Sequence, residues 1–283
     1  MKIGVFDSGY GGLTILRSIR KVLPQYDYIY LGDNARAPYG THSFEVIYRY
    51  TLQAVRFLFD QGCTLVILAC NTASAKALRT IQQCDLPAIN HQLQISNNQS
   101  PRVNVLGVIR PTVEAVPSIT QTGHVGILAT PATVSSESYV LELAKISDTL
   151  KVSQQACPLW VPLIEAGEHE SQGADFFVNK YLQSLLEQDP EIDTLVLGCT
   201  HYPLLLPKIG QWLKDHSDIR VIAQGSLVAD SLADYLKRHP EYQQQLTRNG
   251  TCSYLTTENA ERFSESASLF LDTPVQAQQI CLN

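Results

Sequence analysis

The sequence predicts an α/β protein: two pseudo-symmetric, doubly wound lobes with mostly parallel sheets and a site in the cleft between them. Short apolar runs rich in β-branched residues alternate with amphipathic segments, the pattern of strand–helix–strand units. Those runs are nearly continuous in apolar residues, as strands covered on both faces require. The chain also echoes itself in order. Ile3-Gly4-Val5-Phe6-Asp7-Ser8 resembles Val125-Gly126-Ile127-Leu128-Ala129-Thr130, and Val66-Ile67-Leu68-Ala69-Cys70-Asn71 resembles Leu195-Val196-Leu197-Gly198-Cys199-Thr200. Two matches at nearly the same separation point to two related halves.

A first strand is expected over residues 2–6, followed by the loop Asp7-Ser8-Gly9-Tyr10-Gly11-Gly12. Its glycines allow a tight turn and close approach to a ligand, and the helix beyond would offer free N–H groups to an anion. The spacing is not G-x-G-x-x-G, so no dinucleotide fingerprint is assigned. A second strand over 28–31 leads into Gly32-Asp33-Asn34-Ala35-Arg36-Ala37-Pro38-Tyr39-Gly40, whose Pro-Tyr-Gly ending reads as a turn presenting backbone donors. Residues 43–59 form an amphipathic helix with Ile47, Ala54, Val55 and Leu58 on one face and Gly62 after its end. A third strand over 65–69 ends at Cys70. The polar stretch 92–104 reads as a linker between lobes. Further strands are expected over 103–108, 124–129, 194–198 and 220–223.

Composition narrows the function classes. The 283 residues suit one large domain or two lobes, and a net charge of −6 with no Lys/Arg-rich run argues against a nucleic-acid partner. No segment approaches the ~18–20 apolar residues that cross a bilayer, so no membrane role is expected. Met1-Lys2-Ile3-Gly4-Val5-Phe6-Asp7 meets a charge too early for a signal-peptide core, which sets the expected location in the cytoplasm. The seven cysteines are an odd number without a disulfide rhythm or a C-x-x-C pair, so each is a small core residue or a reactive thiol.

Two of those thiols stand where a buried strand stops, the usual place for ligand sites in open α/β sheets. Cys70 precedes the helix-prone Asn71-Thr72-Ala73-Ser74-Ala75, where exposed N–H groups would lower its pKa below ~8.5. Alone, it reads equally as a structural thiol. Cys199 lies in Gly198-Cys199-Thr200-His201-Tyr202-Pro203, and His201 is placed to orient or charge-tune it. A zinc site from Cys70, Cys199 and His201 competes with that reading. Asp7 is either a cap at a strand end or a carboxylate poised to act on a cysteine proton. Glu165, closing the apolar run Pro158-Leu159-Trp160-Val161-Pro162-Leu163-Ile164, is the last carboxylate singled out. From residues alone, a racemase, a two-lobed binding module and a zinc hydrolase all stay open.

Together, Asp7-Ser8-Gly9, Pro38-Tyr39-Gly40, Ala69-Cys70-Asn71-Thr72-Ala73-Ser74 and Gly198-Cys199-Thr200-His201-Tyr202-Pro203-Leu204 resemble the motifs of glutamate racemases in order and spacing. The likeness runs from the first residues to about Leu206. Related aspartate racemases typically carry Glu where His201 stands, so the histidine favours glutamate. One departure is Arg110-Pro111-Thr112, where many relatives have Pro-Gly. The resemblance implies racemisation of L- and D-glutamate without cofactor or metal, supplying D-glutamate for peptidoglycan. Cys70 would serve the D-enantiomer with help from Asp7, and Cys199 the L-enantiomer with help from His201 and Glu165. Ser8, Pro38, Tyr39, Gly40, Asn71, Thr72, Thr130, Thr133 and Thr200, together with Asp7 and His201, would bind the substrate. It further implies a homodimer, and a first lobe of residues 1–97 with 208–283 around a second of 98–207. The chain opens almost at its first strand, which by the same resemblance goes with independence of a nucleotide activator.

Overall fold

A computed structural model describes residues 1–96 and 102–282. Among the described residues ten strands form two sheets: β1 (Lys2–Asp7), β2 (Tyr28–Gly32), β3 (Cys63–Leu68), β4 (Asn104–Gly107), β5 (His124–Ala129), β6 (Lys151–Ala156), β7 (Thr194–Gly198), β8 (Arg220–Ile222), β9 (Cys252–Thr256) and β10 (Ala277–Gln279). One sheet has the order β10-β9-β2-β1-β3-β4 and the other β6-β5-β7-β8. All the pairings are parallel. The order β2-β1-β3-β4 repeats as β6-β5-β7-β8, so the second sheet copies the core of the first, as the internal echo foretells. β9 and β10 extend the first sheet only.

Each central strand is buried along its length, because helices cover both faces. In the first lobe, Ile3 and Val5 point into one core with the helix Gly12–Val22, while Phe6, Val66 and Leu68 point into another with the helix Phe44–Asp60. That second helix starts where Ser43 accepts a hydrogen bond from the Val46 N–H at 3.4 Å, and buries Ile47, Thr51, Ala54, Val55 and Leu58. Beyond its end the chain reverses at Gly62 (φ +82°), a conformation that suits glycine. No helix among the described residues is long and apolar enough to cross a membrane.

The crossings between sheets differ from the expected boundaries. Residues 92–96 belong to the helix Leu86–Ser96, and β4 pairs with β3 in the first sheet. The polar 92–104 stretch is therefore a helix end and a connection within one lobe, with its residues 97–101 outside the described residues. The first crossing instead follows β4, through the helix Ile109–Ala115. Likewise β8 pairs with β7, so residues 208–222 stay with the second sheet. The chain returns through the helix Gln224–Arg238, which packs on Gly12–Val22. Close approach there needs Gly225, since a Cβ at that position would lie 2.3 Å from Ser18 Oγ.

Candidate active site

Parallel strands bring their carboxyl ends to one edge of a sheet, and the two sheets present those edges to each other. Cys70 and Ser8 leave the ends of β3 and β1; Cys199, Thr130 and Cys157 leave the ends of β7, β5 and β6. All five line one cavity of about 60 Å³ between the sheets. At ~10–15 Å³ per water-sized group that is room for only a few such groups, so a small polar substrate would lie close to the walls. Pro38, Tyr39 and Gly40 cover it from the first lobe, and Glu165, Thr200 and His201 from the second. Asn71 and Thr72 complete the expected lining.

Two expected residues lie behind the wall instead. Asp7 is wholly buried, accepting from the Gly9 N–H at 2.9 Å and from the Thr200 hydroxyl at 3.3 Å. Thr133 is wholly buried as well, and its hydroxyl meets those of Thr130 (3.0 Å) and Thr72 (3.3 Å); Thr72 and Thr130 also meet at 3.0 Å. This triangle of hydroxyls joins the two lobes at the cavity edge. The Tyr39–Thr41 turn sits against it closely enough that a Cβ on Gly40 would come within 2.9 Å of Thr130 Cβ. Tyr39 donates to Asp33, whose carboxylate also holds Arg36 Nε at 2.7 Å, so the turn is tied down from beneath.

The glycine loop turns the backbone N–H of Gly9 to the Asp7 carboxylate and lets side chains of the other lobe come close. A Cβ on Gly11 would lie 2.4 Å from both His201 Nδ1 and Thr200 Oγ1, and one on Gly12 would lie 2.5 Å from Asp7 Cβ. Those glycines leave room for catalytic-edge side chains, and Ser8 is the loop's contribution to the lining.

The surroundings of the two thiols differ. Cys70 Sγ lies 3.4 Å from Ser8 Oγ and accepts from the Ala73 N–H at 3.4 Å, capping the short helix Asn71–Lys76. The sequence leads one to expect a lowered pKa at such a cap. Burial instead pushes the thiol up to about 12, reinforced by the Asp7 charge, and these outweigh the two hydrogen bonds. Cys199 Sγ lies 3.9 Å from His201 Nδ1, while His201 Nε2 meets Glu165 Oε1 at 3.0 Å. Burial of His201 opposes its protonation, but the contacts with Cys199 and Glu165 prevail and raise the imidazole to about 10. Burial also lifts the Asp7 carboxyl above its ordinary value, against the nearby His201 charge.

Cys157 is a third thiol on the wall that the motifs do not single out. Burial pushes it well above the usual range, and its sulfur faces the Gln155 carbonyl at 3.6 Å. It has no base or carboxylate partner of the kind Cys199 has. Among the described residues no three of His, Cys, Asp and Glu converge as a metal-binding group. Chemically, the cavity offers two thiols from opposite lobes and a layer of hydroxyls and amides able to hold carboxylates.

Comparison with known proteins agrees with this arrangement. Residues 13–232 match the family model described as Asp/Glu/Hydantoin racemase. The glutamate racemase of Ruegeria sp. (strain TM1040) is 42% identical over 281 residues, covering 96% of this chain and 97% of that one. A glutamate racemase isoform of Bacillus anthracis has a crystal structure that superposes with a TM-score of 0.86 at 31% identity, covering 99% of this chain and 97% of its own. The Francisella tularensis glutamate racemase, crystallised with D-glutamate, gives 0.84 at 32% identity over 100% of this chain and 98% of its own. The chain thus belongs to the aspartate/glutamate racemase family, on the branch of the glutamate racemases.

Proposed function

We propose that this protein interconverts L- and D-glutamate by a two-base mechanism in which Cys70 and Cys199 exchange the roles of acid and base, with no cofactor. One observation carries the reading: both thiols line a single cavity from opposite, pseudo-symmetric lobes. Inversion at Cα needs a proton taken from one face and another returned to the opposite face, and two fixed groups flanking one substrate meet that need.

In the L-to-D direction, Cys199 takes the α-proton and Cys70 delivers one from the other side; the reverse direction swaps them. His201, raised to about 10, stays charged through neutral pH, and Glu165 holds its ring. The Cys199 sulfur lies 3.9 Å from that imidazole, which is placed to orient it. Asp7, behind Cys70 and tied to Thr200, assists from the first side in the opposite sense, its charge helping to keep the proton on Cys70. Ser8, Asn71, Thr72, Thr130 and Thr200, with the Pro38-Tyr39-Gly40 turn, supply donors for the two carboxylates and acceptors for the ammonium, and Thr133 holds Thr72 and Thr130 in place. The charge that develops at Cα is stabilised by fixed dipoles in a site that admits little water.

The product would be D-glutamate for peptidoglycan, made in the cytoplasm by a homodimer. Purified, metal-stripped protein given L- or D-glutamate should bring the optical rotation to zero from either side. Turnover of aspartate but not glutamate would reassign the substrate, and turnover of neither would overturn the reading.

A further inference from the structure

Behind the cavity wall lies a buried polar ring of which the mechanism above uses only Asn71. Gln224 opens the helix Gln224–Arg238, is 2% exposed, and sits where the chain returns from the second sheet. Its Oε1 accepts from Asn71 Nδ2 at 2.6 Å. Its Nε2 reaches Tyr139 Oη at 2.9 Å and Thr112 Oγ1 at 2.8 Å, with Asn71 Oδ1 at 3.2 Å and the Val108 carbonyl at 3.4 Å. Tyr139 in turn donates to Asn71 Oδ1 at 2.7 Å. Burial, with the Cys199 charge, holds the Tyr139 hydroxyl above its ordinary pKa, so it keeps its proton and donates. The ring therefore closes with one assignment of donors: Asn71 to Gln224, Gln224 to Tyr139, Tyr139 to Asn71.

Each member touches a different part of the machine. Asn71 follows Cys70 and lines the cavity. Tyr139 packs on the residue before Cys199, since a Cβ on Gly198 would lie 3.2 Å from Tyr139 Cε2. Val108 and Thr112 flank the first crossing between sheets, and Gln224 begins the second. We infer that Gln224 is a positioning residue for catalysis: through Asn71 and Tyr139 it sets the spacing of the two thiols, at the point where both interlobe crossings meet. This rests on the two-thiol reading. A fully satisfied buried network fixes one arrangement, and an amide side chain is required because the site demands an acceptor and a donor from the same group.

Gln224→Glu keeps the acceptor for Asn71 but removes the donors and sets a carboxylate against the Val108 carbonyl. Tyr139→Phe removes one link with little change of volume. Each should lower kcat about 10–100-fold in both directions with KM changed less than about threefold, as expected when reacting groups are misplaced by a fraction of an ångström. The double variant should be no worse than the poorer single one, because both break the same ring. Alkylation of Cys70 and Cys199 by iodoacetamide, followed by peptide mass, should change several-fold in either variant, and this readout needs no turnover. Should Gln224→Glu fail to fold, Tyr139→Phe carries the test alone. Wild-type kcat and wild-type alkylation rates in folded variants would overturn the positioning role. Absence of wild-type racemisation would instead defeat the functional reading, and the alkylation rates would still decide the role of Gln224.

Discussion

The two thiols leave the same place in two copies of one motif, yet their surroundings are opposite in charge. Cys70 faces a buried carboxyl, Asp7, and a hydroxyl, Ser8; Cys199 faces an imidazole backed by Glu165. Both residues are buried, and each lobe supplies its thiol with a different partner. Burial and the Asp7 charge push Cys70 up to about 12; on the other side it is the His201 imidazole that is raised, to about 10, its contacts with Cys199 and Glu165 outweighing its burial. On the two-thiol reading, this contrast suits Cys199 to take the proton of L-glutamate and Cys70 to give a different proton to the opposite face. Two identical environments would give no such starting point.

The largest test of this contrast is to delete each thiol. Cys70→Ser and Cys199→Ser should each reduce racemisation at least ~1,000-fold in a steady-state assay, since general acid–base catalysis contributes up to about four orders of magnitude. Removing the partners comes next. His201→Asn should lower kcat ~100-fold or more, with the greater loss of kcat from L-glutamate, and Asp7→Asn should lower it ~10–100-fold, with the greater loss of kcat from D-glutamate. Equal losses of kcat in both directions would erase the division of labour between the lobes.

A smaller effect is read in pH. The folded His201 titrates near 10, above its ordinary 6.5, so its charge contributes stability that is complete below about 6.5 and is lost as pH rises towards 10. The rate from L-glutamate should fall on the same alkaline limb. Glu165→Gln removes the carboxylate at 3.0 Å and should move that limb to lower pH, with a loss of ~10-fold or less at neutrality. The smallest change is expected at Cys157→Ala, within ~10-fold, because that thiol lines the cavity without a base beside it.

Much of this geometry is legible in the sequence. The buried strands ending at Asp7, Cys70 and Cys199 show as apolar runs, and the repeat between the lobes shows as a repeated strand-end motif. Other parts lack a local signal. β6 (Lys-Val-Ser-Gln-Gln-Ala) is a half-exposed edge strand with no apolar run, and β10 is three residues long. The crossings between lobes are set by strand pairing, which the polar stretch before β4 conceals. The pKa of Cys70 follows from burial and from Asp7, neither of which the helix-cap position discloses. Gln224 is least legible of all: its partners stand 153, 116, 112 and 85 residues away, and only the folded chain brings them to one point.

The two-base claim is tested most directly by following early turnover of L- and D-glutamate in D2O by proton NMR. The account predicts that the enantiomer formed carries deuterium at Cα from the first turnovers, while the substrate recovered alongside it keeps its original proton, in both directions. Return of the substrate's own proton to the opposite enantiomer, or deuterium entering recovered substrate as fast as inversion, would mean one group serves both faces and would contradict the assignment of Cys70 and Cys199 as separate acid and base.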